Sequence, residues 1–171
     1  AELIYKSSLK IKMYIETRPE GININSIKIL KKLKVDGVGM GIELAAEDFR
    51  EQNLNRFSNQ KKTIEAFKLL KENNIKRTSY NVIGFPNQDE KSILQTIEFN
   101  KILDPDNITV AFYSPYIGTG QQKEGVKTGI FENYEPGADA ALRTRTKSTT
   151  LSKEKLEYYK QNFISLVRDG K

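Results

Sequence analysis

The chain has 171 residues, 37% hydrophobic and 29% charged, with a net charge of +6: the profile of one soluble globular domain long enough to bury a core. It contains no histidine and no cysteine, so its own side chains cannot build the usual zinc sites, a thiolate nucleophile, a histidine triad or a cysteine-bound iron–sulfur cluster. No apolar run approaches the roughly 20 residues of a membrane span and no apolar secretory leader opens the sequence, so a cytoplasmic protein without membrane contact is expected.

Leu9 to Ile15 alternates as a strand, with Ile11, Met13 and Ile15 on one face. Asn25 is the expected N-cap of a helix in which Ile27, Leu30 and Leu33 recur at helical spacing. Lys28, Lys31, Lys32 and Lys34 lie along this helix, and Lys61, Lys62, Lys68 and Lys71 along a later one. Those are solvated outer faces, and with no DNA- or RNA-reading motif beside them nucleic acid is not an expected partner. Val38 to Ile42 is glycine-rich and forms a strand only if buried and closely approached. A loop and short helix around Asp48 to Leu54 follow, then an amphipathic helix from Thr63 to Asn73 with Ile64, Phe67 and Leu70 inward.

Arg77 to Ile83 is the clearest strand, halted by Gly84-Phe85-Pro86. Asn87 and Glu90 predict a capping box for a helix carrying Ile93, Leu94 and Ile97. Asp104-Pro105-Asp106 ends that helix, and Ile108 to Tyr113 is the fourth strand. From Gly118 to Thr150 few apolar residues occur, so the spacing predicts loop with one short extended piece near Thr144 to Thr149. Ser152 caps a final helix with Leu156, Tyr159, Phe163 and Leu166 on one face. Strand–helix alternation of this kind argues for a parallel sheet with crossover helices, and such folds put their sites where the strands end.

Each strand end carries candidate residues. Glu16 and Glu43 are carboxylates that either face a barrel mouth or hydrate at its rim; together they could bind an amine or ribose hydroxyls by charge-assisted hydrogen bonds. Arg18 and Arg56 are partners for a carboxylate or members of weak surface ion pairs. Gly84 permits either a sharp turn or close approach to a ligand, and Tyr80, Tyr113 and Tyr116 serve as walls or as acid–base groups.

Read in order, Glu16, Gly41-Ile42-Glu43, Gly84-Phe85-Pro86 running to Glu90, and Pro115-Tyr116-Ile117-Gly118-Thr119 resemble the radical S-adenosylmethionine (SAM) superfamily. The resemblance is greatest to its cobalamin-domain-associated and coproporphyrinogen-dehydrogenase-like branch, and covers roughly Lys10 to Thr119. Leu54-Asn55-Arg56 falls where that family carries a basic residue. The resemblance implies a partial (βα) TIM-type barrel of about four parallel strands with flanking helices plus a C-terminal helix. Residues 1–119 would be the C-terminal half of the barrel and 120–171 a loop and helical extension.

It also implies that Glu16 and Glu43 contact the amino and ribose groups of S-adenosylmethionine and Arg56 its carboxylate, with Tyr80 and Val82 lining the adenine side. Gly84 would lie at the same site, and the backbone from Phe112 through Ser114 to Tyr116 would meet the adenine ring; Arg18 and Tyr116 are candidate substrate contacts. The family's Cys-x-x-x-Cys-x-x-Cys loop and first two strands are missing from this sequence. The expectation is therefore the S-adenosylmethionine-binding portion of an enzyme that generates a 5′-deoxyadenosyl radical or transfers a methyl group, inert by itself. The 4Fe–4S cluster, and cobalamin as a further candidate, would belong to the intact parent only.

A half-barrel with unpaired edges and an open inner face is also expected to self-associate, or to have a loosely ordered first or last strand. Two rival readings are a non-catalytic half-barrel that binds a nucleotide or partner, and a metal-independent βα enzyme working through Glu16, Glu43 and Tyr80.

Overall fold

The computed structural model describes residues 2, 6, 11–54, 59–131 and 150–169, and centres on a four-stranded sheet. β1 (Met13–Thr17), β2 (Val35–Glu43), β3 (Lys76–Ile83) and β4 (Asn107–Phe112) are mutually parallel and lie in sequence order. The described residues form α1 (Ile24–Lys32), α2 (Glu47–Leu54), α3 (Gln60–Glu72), α4 (Glu90–Leu103), α5 (Gly120–Lys127) and α6 (Lys153–Arg168), with a 3-10 turn at Pro19–Gly21. This is the α/β, partial-barrel architecture expected from the strand–helix alternation.

Period-two alternation assigns the two sheet faces. Val38, Met40 and Ile42 of β2 are buried against Ile27 and Leu30 of α1 and Phe67 and Leu70 of α3. Met13 and Ile15 join that cluster from β1. A second apolar cluster joins Ile83, Ile93 and Ile97 to Leu156, Tyr159, Phe163 and Val167 of α6, with Ile108, Val110 and Phe112 packed on it from β4. The helices thus cover one face. The opposite face carries Tyr14, Glu16, Gly37, Gly39, Gly41, Thr78, Tyr80, Val82, Thr109 and Ala111.

Local chemistry explains where the elements start, and corrects several sequence expectations. Asn23, not Asn25, caps α1: its side chain accepts from Asn25 and Ser26 while Ser26 Oγ accepts from the Asn23 amide. Asp89, not Asn87, caps α4 through the Ser92 amide; Asn87 sits instead at φ 61° in the preceding turn. Of the apolar residues this helix carries, Leu94 is 46% exposed, because the buried stripe of α4 runs through Ile93, Thr96, Ile97 and Asn100. In α6 the deeply buried position near the end is Val167, with Leu166 only partly buried.

The stretch after Gly118 was expected as loop, yet Gly120–Lys127 is helical. Thr119 caps it through the Gln122 amide, a signal the sparse apolar content hid. The extended piece expected near Thr144 to Thr149 lies outside the described residues.

Between β3 and α4 the interior is polar. Ser79, Asn81, Thr96 and Asn100 are all buried, and Asn100 exchanges hydrogen bonds with Asn81 (2.8 Å) and Ser79 (2.6 Å). Each group finds a partner, so the network fixes the position of α4 on β3 rather than weakening it. At the N-terminal end of β3, Arg77 is 5% exposed and its Nε and backbone amide both donate to Asp106 Oδ2, at 2.9 and 2.7 Å. No helix among the described residues is long and apolar enough to cross a membrane.

Candidate binding site at the strand ends

Because the four strands are parallel, their C-terminal ends meet along one edge of the sheet. Glu16, Glu43, Tyr80, Val82 and Ser114 all lie at or near that edge.

Glu43 ends β2 in an uncommon backbone state. Its φ is 62°, and the Leu44 amide donates to the Ile42 carbonyl at 2.9 Å, closing a γ-turn around it. The ladder to β3 shifts register between Gly41 and Glu43, the mark of a bulge. A non-glycine residue held at positive φ costs roughly 1–3 kcal/mol and occurs where the surroundings impose it, often at functional sites.

Across β2, two phenols lie flat on the sheet. Tyr80 Oη donates to Glu16 Oε1 at 3.0 Å, and Tyr14 Oη donates to Thr78 Oγ1. Gly39 and Gly37 make this possible: a Cβ at Gly39 would sit 2.5 Å from the Tyr80 ring, and one at Gly37 would sit 2.3 Å from Tyr14. Burial first, and then the adjoining Glu16 carboxylate, push the Tyr80 phenol up to about 12. It therefore remains a protonated donor throughout the physiological range.

The turn after β3 is locked from inside. Gln88, 1% exposed, accepts from the Gly84 amide at 2.6 Å and from the Phe85 amide at 3.3 Å, and its own carbonyl accepts from Thr150 Oγ1. Gly84 adopts φ 82°, the conformation that favours glycine, and a Cβ there would rest at ordinary contact distance, 3.7 Å, from the Leu156 and Phe112 side chains. Gly84 thus pivots the turn on the helix side, with its amide spent on Gln88. The Phe112 ring also lies on that side, 4.4 Å from Lys160 Nζ, leaving only its backbone for the open face.

Phe85 stacks at 4.3 Å on Tyr113, and Phe49 and Phe131 extend the aromatic cluster. Burial raises the Tyr113 phenol, whose hydroxyl is 3.0 Å from Gln121 Oε1. Beside this cluster, Ser114 Oγ is buried and has no hydrogen-bond partner among the described residues. Val82 faces the open side opposite Ala111. Arg18 is exposed just past β1, and Tyr116, 70% exposed, lies in the turn whose carbonyl accepts from Thr119 Oγ1 at 2.7 Å. Arg56 lies outside the described residues.

Sequence reasoning passed over Tyr14, Thr78 and Gln88. The signal for the first two was Gly37-x-Gly39-x-Gly41, alternating glycines in a strand between two tyrosine-bearing neighbours. A groove of about 690 Å³ lined by Ala45, Glu47, Lys91, Leu94, Glu98 and Ile102 opens on the helix side, away from these residues. The open face itself holds the convergent polar groups.

Comparison with known proteins gives a consistent result. The model of the radical SAM superfamily matches residues 1–99, more than half of the chain. Coproporphyrinogen III oxidase HemN from Escherichia coli, described as a radical SAM enzyme, superposes with TM-score 0.65 at 16% identity, covering 92% of this chain and 32% of HemN. The radical S-adenosylmethionine methyltransferase TsrM from Kitasatospora setae, solved with cobalamin and a [4Fe-4S] cluster, gives 0.63 at 13%, covering 74% and 24%. Elp3 from the archaeon Methanocaldococcus infernus, lacking residues 1–46, gives 0.61 at 22%, covering 78% and 32%. No curated protein matches by sequence. At such identities the likeness establishes a shared fold and not a shared reaction, and the chain spans about a third or less of each of these proteins.

Proposed function

This chain belongs to the radical SAM superfamily, and on that premise we propose that its open face binds S-adenosylmethionine at the C-terminal ends of the four strands. The observation that carries the reading is the strained Glu43 turn, which coincides with the end of the Gly-x-Glu segment. Strain held at a strand end projects a side chain where regular alternation would not.

The residues fit the small molecule. In this reading Glu16 and Glu43 accept from its ammonium and ribose hydroxyls, Val82 and the backbone beyond Phe112 line the adenine side, and the buried, unpartnered Ser114 Oγ supplies one further hydrogen-bonding group. Arg56 would meet its carboxylate, and Arg18 and Tyr116 flank the opening toward the substrate.

The iron–sulfur cluster used by the superfamily does not fit this chain's own residues. The sequence supplies no thiolate and no imidazole, and no group of three or more Asp or Glu among the described residues could hold a metal ion. The chain is therefore read as the S-adenosylmethionine-binding portion of a larger cytoplasmic radical enzyme, with residues 1–119 in the barrel and 120–171 an extension. When bound in that parent, the cofactor and cluster supply radical generation or methyl transfer; alone the chain binds and does not turn over. Cobalamin is a further candidate for the parent, suggested by the TsrM likeness. The absent cysteines also favour a second reading, a non-catalytic half-barrel that binds a nucleotide or a partner protein.

Calorimetric titration of the chain with S-adenosylmethionine tests the proposal. Saturable binding, weakened about tenfold or more in E43Q, is expected. Equal affinity for the unaltered chain and E43Q would remove Glu43 from the site.

A further inference from the structure

Tyr80 is separated from Glu16 by a whole strand, yet their side chains meet. We infer that Tyr80 is a positioning residue that holds the Glu16 carboxylate in place for the ligand, not a wall of the adenine subsite. The inference rests on reading this face as an S-adenosylmethionine site.

Glu16 lies on β1, a strand paired on one side only among the described residues, and its side chain is exposed. An exposed glutamate left to itself samples many rotamers, and ordering it at the moment of binding lowers affinity. The 3.0 Å bond from Tyr80 Oη removes most of that freedom before the ligand arrives. It engages Oε1 alone, and Oε2 makes no hydrogen bond with any described residue, so one carboxylate oxygen is fixed and the other is offered.

The sequence is arranged for this bridge. The phenol ring can reach β1 only over a strand position without a side chain, and Gly39 lies directly opposite Glu16 in the ladder. The same device recurs one step earlier, where Tyr14 crosses Gly37 to Thr78 in the opposite direction. The second crossing braces the floor beside the first. Two antiparallel phenol bridges over alternating glycines pre-set the open face near its strand ends, and Glu16 is the carboxylate end of the one nearer the site.

Phenylalanine at position 80 keeps the ring over Gly39 and removes only the donor, so it separates orientation from packing. Dissociation constants of S-adenosylmethionine are to be measured for the unaltered chain, Y80F, E16Q and the Y80F/E16Q double variant, with a thermal melt of each to verify folding. Y80F is expected to weaken binding about three- to tenfold, and to add nothing once Glu16 is replaced. A wall role would leave Y80F unchanged, since the ring stays; a general structural role would weaken E16Q and the unaltered chain alike. Affinity of Y80F within about twofold of the unaltered chain, or a loss fully additive with E16Q, overturns the positioning role and leaves the site reading standing. Failure of the unaltered chain to bind S-adenosylmethionine overturns both.

Discussion

The Tyr80 hydroxyl reaches Glu16 Oε1 at 3.0 Å across a strand because residue 39, directly between them, is glycine. The spacing makes Gly39 the most exacting position on the open face. A G39A methyl would sit 2.5 Å from the Tyr80 hydroxyl oxygen and ring, far inside any real contact, so the ring must lift off the sheet. Chemical unfolding is expected to show a loss of about 1–3 kcal/mol, as for other overpacked sites. The paired variant G39A/Y80A relieves the clash and is expected to be less than additive; a G39A protein as stable as the original would contradict this geometry.

Ser114 should respond oppositely with and without ligand. Its Oγ is buried and unpaired among the described residues, and a group in that state costs about 1–3 kcal/mol. S114A is therefore expected to leave the melting temperature of the free chain unchanged or slightly raised. The same change should shrink the rise in melting temperature that S-adenosylmethionine produces. A clear destabilisation of the free S114A chain would mean that Oγ already has a partner.

Asp106 sets part of the acid limit of stability. Burial pushes its carboxyl up, but hydrogen bonds from the Arg77 side chain and backbone outweigh burial and hold it below the ordinary carboxylate range. A depressed folded pKa means that the stabilisation is fully present above the unfolded value of about 4 and is lost as pH falls through the folded one. D106N leaves the buried Arg77 without its anion and is expected to cost about 1–3 kcal/mol at neutral pH, the range allowing for the partial exposure of Asp106. Its stability should also vary less with pH below about 4 than that of the unaltered chain. Parallel stability–pH curves for the two proteins would rule this pair out as a determinant.

The sheet has two edges and an uncovered face among the described residues, with Tyr14 47% exposed on it. Unpaired strand edges invite pairing with another chain. Sedimentation is expected to show mass rising with concentration, and saturating S-adenosylmethionine is expected to reduce it if the open face takes part. A monomer at every concentration would show that edges and face are adequately protected.

The sequence carried the strand–helix order because each buried stripe has a clean period: Val38, Met40 and Ile42 in β2, Phe67 and Leu70 in α3. It carried the strand ends as well, since Glu16, Glu43 and Gly84-Phe85-Pro86 stand where alternation stops. Caps were less legible. Asn23 and Asn25 are both competent, and only the backbone decides which oxygen faces the free amides. Helix α5 was hidden because it buries almost no apolar side chain and rests on its Thr119 cap. The phenol bridges were hidden for another reason. They depend on side chains two strands apart meeting over Gly37 and Gly39, a relation that ladder register sets and local pattern does not contain. The helix-side positions of Gly84 and the Phe112 ring follow from the same cause, since α6 supplies the surface they meet.

Amide hydrogen–deuterium exchange with and without saturating S-adenosylmethionine tests the central claim most directly, because it reports where the ligand sits. The expected result is added protection at residues 16–18, 41–45, 80–84 and 112–116, with little change in the groove lined by Leu94 and Ile102. Protection confined to that groove, or no protection anywhere, would contradict a cofactor site at the strand ends.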